Sequence, residues 1–312
     1  MTATIRLPTR RIGSLEVPVV GLGCNNFGSR LDEGRTRRVV DAALEAGVTF
    51  FDTADIYGRT QSEAFLGRIL EGRRDRVVIA TKFGMEVDRT RRGAAPAYVR
   101  RALEDSLRRL RTDRIDLYQL HEPDPATPIA DTLGALDGLV REGKVRQIGC
   151  SNFSGAQLLE ASAAMKEGAA RFISVQNELN LLDRADEQDA LPVAEQLGLA
   201  YIPYFPLANG LLTGKYRPGV VPEGSRLASS RRAEQLLTDG TFARLEALDR
   251  FAVDRGHSIL ELAFGWLLAH PPVASVIAGA TTPEQVRANA AAAGWILTAD
   301  EMELVETGLP IL

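Results

Sequence analysis

The stretch VVIATKFGMEVDRTRRGAAPAYVRRALEDSLRRLRTDRIDLYQLH, residues 77–121, contains one complete unit of the architecture. Val77–Thr81 and Ile115–Leu120 are short, mostly apolar runs, the composition of parallel strands covered on both faces. Between them, Val99, Leu103, Leu107 and Leu110 recur at intervals of three and four, which gives Pro96–Leu110 one apolar helix face to lay on a sheet. Pro96 suits the first turn of that helix, where a backbone N–H has no intrahelical partner to lose. A polar residue follows each strand, Lys82 after the first and His121 after the second.

The same unit repeats in both directions. Val19–Gly23, Thr49–Asp52, Val145–Cys150, Phe172–Gln176, Ala200–Tyr204 and Ala274–Ile277 read as further strands, and the segment from Ile129 repeats the helical pattern through Leu133, Leu136 and Val140. Gly47 and Gly198 stand where helix C-caps belong. Eight β-α alternations with no linker predict an α/β fold in a single domain, residues 1–312: a (β/α)8 TIM barrel. Additions to the rhythm are a short N-terminal β-hairpin, Ile5 to Leu7 with Leu15 to Val17, an extra helix Ser258–Leu268, and a C-terminal helix Ala299–Thr307. A long loop rich in Gly, Pro and Ser follows strand seven, from Phe205 to about Thr241, and such loops in compact domains are usually lids or binding loops. Trp266 and Trp295 fall in helical segments and read as packing.

Composition excludes several classes of function. Hydrophobic residues at 45% and charged residues at 25% are the proportions of a folded globular chain. A net charge of −4, with arginines dispersed among acids, offers no electrostatic footprint for nucleic acid, and the arginines of RRLRTDRIDLYQL read as solvated. Cys24 and Cys150 are too few for a disulfide framework, and His121, His257 and His270 lack ligand spacing, so no metal is expected. No apolar core follows MTATIRLPTRR and no run reaches membrane-spanning length, which predicts a cytoplasmic protein without membrane contact.

The polar residues that remain fall at one strand end after another: Asp52, Lys82, His121, Ser151 with Asn152, Gln176, Tyr204 and Gly279. In a barrel these ends meet on the face where active sites are built. Taken singly, Asp52 reads as a helix cap, Tyr57 as a core tyrosine, Lys82 as a solvated charge and His121 as a structural histidine. Their joint placement outweighs the single readings. A tyrosine titrates near about 10, too high for an efficient acid at neutrality, but an ammonium beside it lowers that value and a carboxylate holds the ammonium charged. Asp52, Tyr57 and Lys82 have the composition of such a tuned acid, and His121, titrating in the physiological range, suits the orientation of a carbonyl. The glycines of GLGCNNFG lack the spacing of a dinucleotide fingerprint.

In order along the chain, DTADIYG, ATKFG, the LH after strand four, GCSNF, SVQNELN, YFPLANGLLTGKY and VIAGATTPEQVRAN resemble the signatures of aldo-keto reductases, from Gly21 to Asn289. The resemblance implies reversible hydride transfer between NAD(P)H and an aldehyde or ketone, with Asp52, Tyr57, Lys82 and His121 as the catalytic tetrad. It implies cofactor contacts from Gly23, Cys24, Asn25, Asp52, Ser151, Asn152, Gln176 and Tyr204 around the nicotinamide. Phe205, Pro206, Leu207, Gly210 and Lys215 would follow toward the pyrophosphate, and Arg226, Gly279, Thr281, Gln285 and Asn289 toward the adenosine. Asn26, Phe27, Phe83 and Met85, with residues of the Phe205 to Thr241 loop, are the expected substrate pocket, and a small-molecule carbonyl the expected partner. The family favours NADP(H) over NAD(H), yet many NADPH-preferring members carry Lys or Arg just after strand eight, where this chain reads GATTPEQ. Arg226 or Arg287 is then the substitute charge. The alternative implied by the resemblance is a cofactor-binding regulatory subunit like potassium-channel β subunits, but those carry Asn where His121 stands. Oligomeric partners are left open, with a monomer as the default for a closed barrel.

Overall fold

The structure, a computed structural model, describes residues 7–230 and 233–307. Eight parallel strands form one sheet: β3 (Val20–Gly23), β4 (Phe50–Asp52), β5 (Val78–Phe83), β6 (Ile115–Leu120), β7 (Val145–Ser151), β8 (Phe172–Gln176), β9 (Ala200–Tyr201) and β10 (Val276–Gly279). They lie in sequence order, with β10 beside β3. The sheet curls until Tyr201 bridges Val273. There the Tyr201 N–H donates to Pro272 at 2.7 Å and Tyr201 accepts from the Ala274 N–H at 2.9 Å, which closes the barrel. The register pairs Gly23 with both Gly279 and Asp52, and Ser151 with Gln176, so the C-terminal strand ends come level on one rim.

Helices α1 (Glu33–Glu45), α2 (Gln61–Ile69), α3 (Pro96–Leu110), α4 (Ile129–Arg141), α5 (Gly155–Ala163) and α6 (Ala190–Leu197) cover the first strands from outside. On α3, Pro96 is the first residue and Val99, Leu103, Leu107 and Leu110 are all buried, as the apolar spacing requires. Later come α7 (Ala233–Leu236), α8 (Asp239–Val253), α9 (Ile259–Ala269), α10 (Pro283–Ala292) and α11 (Ala299–Glu306). Ser258 with Glu261 and Thr298 with Glu301 form reciprocal capping boxes at the starts of α9 and α11.

The N-terminal hairpin is present with its second strand where expected and its first strand later: β1 (Thr9–Ile12) pairs with β2 (Leu15–Pro18), Ile12 opposite Leu15. A two-residue turn begun by Gly13 at φ +57° sets that register, whereas Leu7 lies outside the hairpin and Ile5 outside the described residues. Ile12, Leu15 and Val17 pack against Phe50, Ala80, Leu117, Ile202, Ala274 and Ile277 inside the barrel, so the hairpin stoppers its N-terminal end. Burying each such aliphatic side chain is worth about 1.5–3 kcal/mol.

Other differences follow from tertiary packing. Lys82 lies within β5 rather than after it, and strand eight begins later and runs to Gly279. The segment after strand seven has local structure, 3-10 turns at Ala208–Thr213 and Leu227–Ser229 followed by α7, and it ends where Thr238 caps α8. Buried Leu211, Leu212, Tyr216 and Leu227 anchor it. Trp295 lies between α10 and α11, outside a helix, and stacks on His257 with ring centroids 4.1 Å apart. Arg109 is no free surface charge, because its Nε lies 2.6 Å from a carboxylate oxygen of fully buried Glu63. No helix of the described residues is long and apolar enough to cross a membrane.

Candidate active site

Asp52 is the last residue of β4, and Lys82 lies on the adjacent strand, where Asp52 registers with Ala80. Both side chains are buried, Lys82 completely. An ammonium has three donors and no acceptor. Lys82 directs its Nζ to Asp52 Oδ2 at 2.5 Å, to the Thr53 carbonyl at 2.9 Å and to the Tyr57 hydroxyl at 3.4 Å. The other Asp52 oxygen accepts from Gln176 Nε2 at 2.8 Å and from Gln119 Nε2 at 3.3 Å. Asp52 is therefore the counter-ion of Lys82 rather than a helix cap.

Tyr57 reaches the centre from the loop after β4. Gly58 behind it has φ +57°, and a Cβ there would stand 2.3 Å from the Phe27 carbonyl oxygen, so this close turn admits only glycine. His121 continues β6, its N–H donating to the Phe83 carbonyl at 2.8 Å, and its ring meets Tyr57 edge-on with centroids 5.7 Å apart. Asn152, at φ +60°, donates through Nδ2 to the His121 carbonyl at 2.8 Å and accepts from the Tyr204 hydroxyl at 2.8 Å. Ser151 Oγ donates to the Gln176 carbonyl at 2.7 Å. Phe205, next to Tyr204, is a bulky residue held at φ +50°, a strained conformation that functional sites often store.

The electrostatics correct two expectations. Burial pushes the Tyr57 phenol above its ordinary value, more than the Lys82 charge pulls it down, so Tyr57 holds its proton at neutral pH. Burial, reinforced by Lys82, holds the His121 imidazole well below its ordinary value, which makes it neutral rather than a titrating group. Burial opposes the Lys82 charge as well, but Asp52 and Tyr57 outweigh it and raise the ammonium above its usual range.

Above the centre opens a cavity of about 960 Å³. Every residue expected to contact the cofactor lines it, from Gly23, Cys24, Asn25 and Asp52, through Ser151, Asn152, Gln176 and Tyr204–Leu207, to Gly210, Lys215, Arg226, Gly279, Thr281, Gln285 and Asn289. Of the expected substrate pocket, Asn26 and Met85 line it too, while Phe27 and Phe83 do not. Phe83 follows Lys82 on β5, so strand alternation turns its ring outward, where it stacks on Tyr118 with centroids 4.6 Å apart. Phe27 is fully buried in the layer between strands and helices. The sequence reading gave no site role to Arg30, Glu122, Leu260, Ile277, Ala278 or Ala288, while Asn209, Thr213 and 222–225 fall within the Phe205–Thr241 segment that it read as a binding loop. Tertiary approach brings several of these in, as where Arg30 Nη2 donates to the Gly224 carbonyl at 2.7 Å across 194 positions. Glu122 carried a local signal of its own, its place directly after His121.

The lining fits a ligand with an amide head and an anionic tail. Beside the Tyr204 ring, Ser151, Asn152 and Gln176 donate within the protein and keep oxygen lone pairs to accept from an amide N–H. Further along, Arg30, Lys215 and Arg226 line the cavity with no carboxylate partner among the described residues. Gly210, at φ +94°, leaves Lys215 its room, since a Cβ there would come within 2.9 Å of Nζ. Lys215 rests 5.3 Å over the Tyr216 ring, and Arg226 4.9 Å over that of Phe205. Arg287, by contrast, is exposed and faces Glu45 and Glu284.

A (β/α)8 barrel whose rim carries a buried Asp–Lys–Tyr network under a cavity with amide and cationic linings has the make-up of a barrel oxidoreductase. Residues 19–308 match the Aldo/keto reductase family, and the chain belongs to it. Aldo-keto reductase YhdN of Bacillus subtilis (strain 168) is 34% identical over 94% of this chain and 90% of its own. A probable voltage-gated potassium channel subunit beta of Oryza sativa subsp. japonica is 35% identical over 84% and 83%. Among solved structures, the holo form of aldo-keto reductase AKR11C1 from Bacillus halodurans superposes with a TM-score of 0.81 at 32% identity, covering 98% of each chain. The protein is thus an oxidoreductase of a family that works with a nicotinamide cofactor.

Proposed function

We propose that the protein reduces aldehydes or ketones, and oxidises the corresponding alcohols, with NADP(H) in preference to NAD(H). The observation that carries this reading is the buried Asp52–Lys82–Tyr57 network, which opens on the cavity beside His121. The bound nicotinamide supplies or accepts the hydride. Ser151, Asn152 and Gln176 would hold its carboxamide and Tyr204 its ring, while Lys215 and Arg226 would face its phosphates. Tyr57 gives its phenolic proton to the carbonyl oxygen in reduction and recovers it in oxidation. Lys82 stabilises the phenolate left behind, and Asp52 keeps Lys82 charged. His121 Nδ1 is sealed without a partner. A buried orphan N–H is rarer than an orphan acceptor, so the neutral ring keeps its proton on Nε2, where it can donate to a carbonyl oxygen in the cavity. Arg226, free of carboxylates, is the better charge for a 2′-phosphate than Arg287.

Likeness to the potassium-channel subunit supports a second reading, a cofactor-binding regulatory subunit. Turnover decides between the two. In an assay following NADPH absorbance over a carbonyl panel, Tyr57→Phe should lower turnover by about 10³-fold or more while leaving cofactor affinity within about twofold. Near-native turnover by that variant would sink the catalytic assignment. Cofactor binding by the wild type with no carbonyl reduced across the panel would favour the regulatory reading. A tenfold preference for NADH would overturn the choice of NADP(H).

A further inference from the structure

The loop that carries Tyr57 holds a second carboxylate that this chemistry does not use. Asp55 lies between Asp52 and Tyr57 and is 2% exposed. Its Oδ1 is sealed with no hydrogen-bond partner. Its backbone N–H donates to the Lys82 carbonyl at 3.1 Å, and the Tyr57 N–H donates to the Ala54 carbonyl at 3.2 Å. Asp55 therefore ties the tyrosine loop to the lysine strand.

The groups facing this carboxyl are Glu63 from α2, Arg109 and Tyr98 from α3, Arg91 from the loop before α3, and Tyr118 from β6. Both cations are engaged with other acids. Arg109 Nε lies 2.6 Å from Glu63 Oε2, and Arg91 Nε lies 2.7 Å from Asp88 Oδ2. The remaining Glu63 oxygen accepts from Thr81 Oγ1 at 2.5 Å. An ionised Asp55 would be a buried charge without an ion partner, beside a second carboxylate. Burial first, then the Glu63 charge, push its carboxyl up to about 8.

We propose that Asp55 is a positioning residue that works as a neutral carboxylic acid: uncharged, it lets the Ala54–Tyr57 loop lie on the end of β5, and its ionisation draws Tyr57 away from Lys82. The inference rests on the role of Tyr57 as the proton donor. For the wild type, kcat for carbonyl reduction should fall by more than about fivefold between pH 7 and about 9.5, with the KM for cofactor nearly constant. Asp55→Asn keeps the shape and removes the charge. It should hold the neutral-pH rate within about twofold and lose the alkaline fall. A flat wild-type profile overturns the proposal, as does a variant profile that falls like the wild type's, or a variant crippled at pH 7.

A second readout needs no turnover. Between the ordinary carboxyl range and about 8, the native state binds the Asp55 proton and the unfolded state does not, so stability declines as pH rises through that window. The melting temperature of Asp55→Asn minus that of the wild type should therefore grow from pH 5 to 8. A constant difference would refute the neutral acid. If no carbonyl is turned over at all, the proposed function fails while this comparison still reports the state of Asp55.

Discussion

The two ends of the cavity follow opposite electrostatic plans. At the strand ends, charge is cancelled within the protein, where Lys82 has an acceptor for each N–H and Asp52 accepts from Lys82, Gln119 and Gln176. At the far end, Arg30, Lys215 and Arg226 line the cavity with no ion pair to a carboxylate among the described residues. A buried charge without a partner is costly, whereas one at a wet rim costs little. The Asp52–Lys82 end is therefore complete before any ligand arrives, and under the proposed function the cationic end is completed by an anion. Substitutions in the first should damage fold and chemistry together, and those in the second affinity alone.

Asp52→Asn tests the first half of that contrast and carries the largest expected effect on stability. It leaves Lys82 fully buried with only neutral acceptors. Removing one partner of a buried ion pair costs about 3–5 kcal/mol, part of which Lys82 recovers by giving up its proton. Urea unfolding should show that loss, and reductive turnover should fall by roughly 10²-fold or more because the phenolate of Tyr57 loses its stabilising charge. Unchanged stability would mean that the pair is not what holds Lys82 in the barrel.

Arg226→Ala tests the other half. Its guanidinium is half-buried over the Phe205 ring, and burial, then the Arg30 charge, lower its pKa from the usual arginine value, against only the Tyr57 and Tyr216 phenols. A charge-assisted contact to a 2′-phosphate is worth about 1.5 kcal/mol or more, so NADPH binding should weaken by about tenfold while NADH binding moves less than about twofold. Equal weakening for both cofactors would place Arg226 on a part that they share. Stability should change little, in keeping with a rim position.

The same contrast explains what the sequence disclosed. Asp52, Lys82, His121, Ser151 and Gln176 were legible because each is fixed by its own strand, and eight strands in register bring their ends together without help from loops. Glycine and caps marked the helix limits for similar local reasons. The contact of Arg30 with 222–225 was not legible, although 222–225 fall in a segment read as a binding loop, because it depends on two loops meeting from far apart in the chain. Phe83 was misplaced by one step of strand alternation, a consequence of reading β5 as ending before Lys82. The sign of the Tyr57 shift was also beyond the sequence, since it turns on how deeply the ring is buried rather than on which charges are near.

The smallest effect belongs to the contact that joins those two loops. Arg30 Nη2 donates to the Gly224 carbonyl at 2.7 Å, tying the loop after β3 to the segment that follows strand seven. Arg30→Lys keeps a positive charge over the cavity but loses the planar fork that reaches the carbonyl. An exposed contact of this kind is worth about 1 kcal/mol, so cofactor release, followed by stopped-flow fluorescence, should quicken by about fivefold with little change in the chemical step. Because the charge is preserved, the acceleration should persist at high salt, which separates a lost tether from a weakened field. An unchanged release rate would assign the closure to the apolar anchors Leu211, Leu212, Tyr216 and Leu227, and the cationic end would then owe its shape to packing, where the Asp52–Lys82 end owes its own to paired charge.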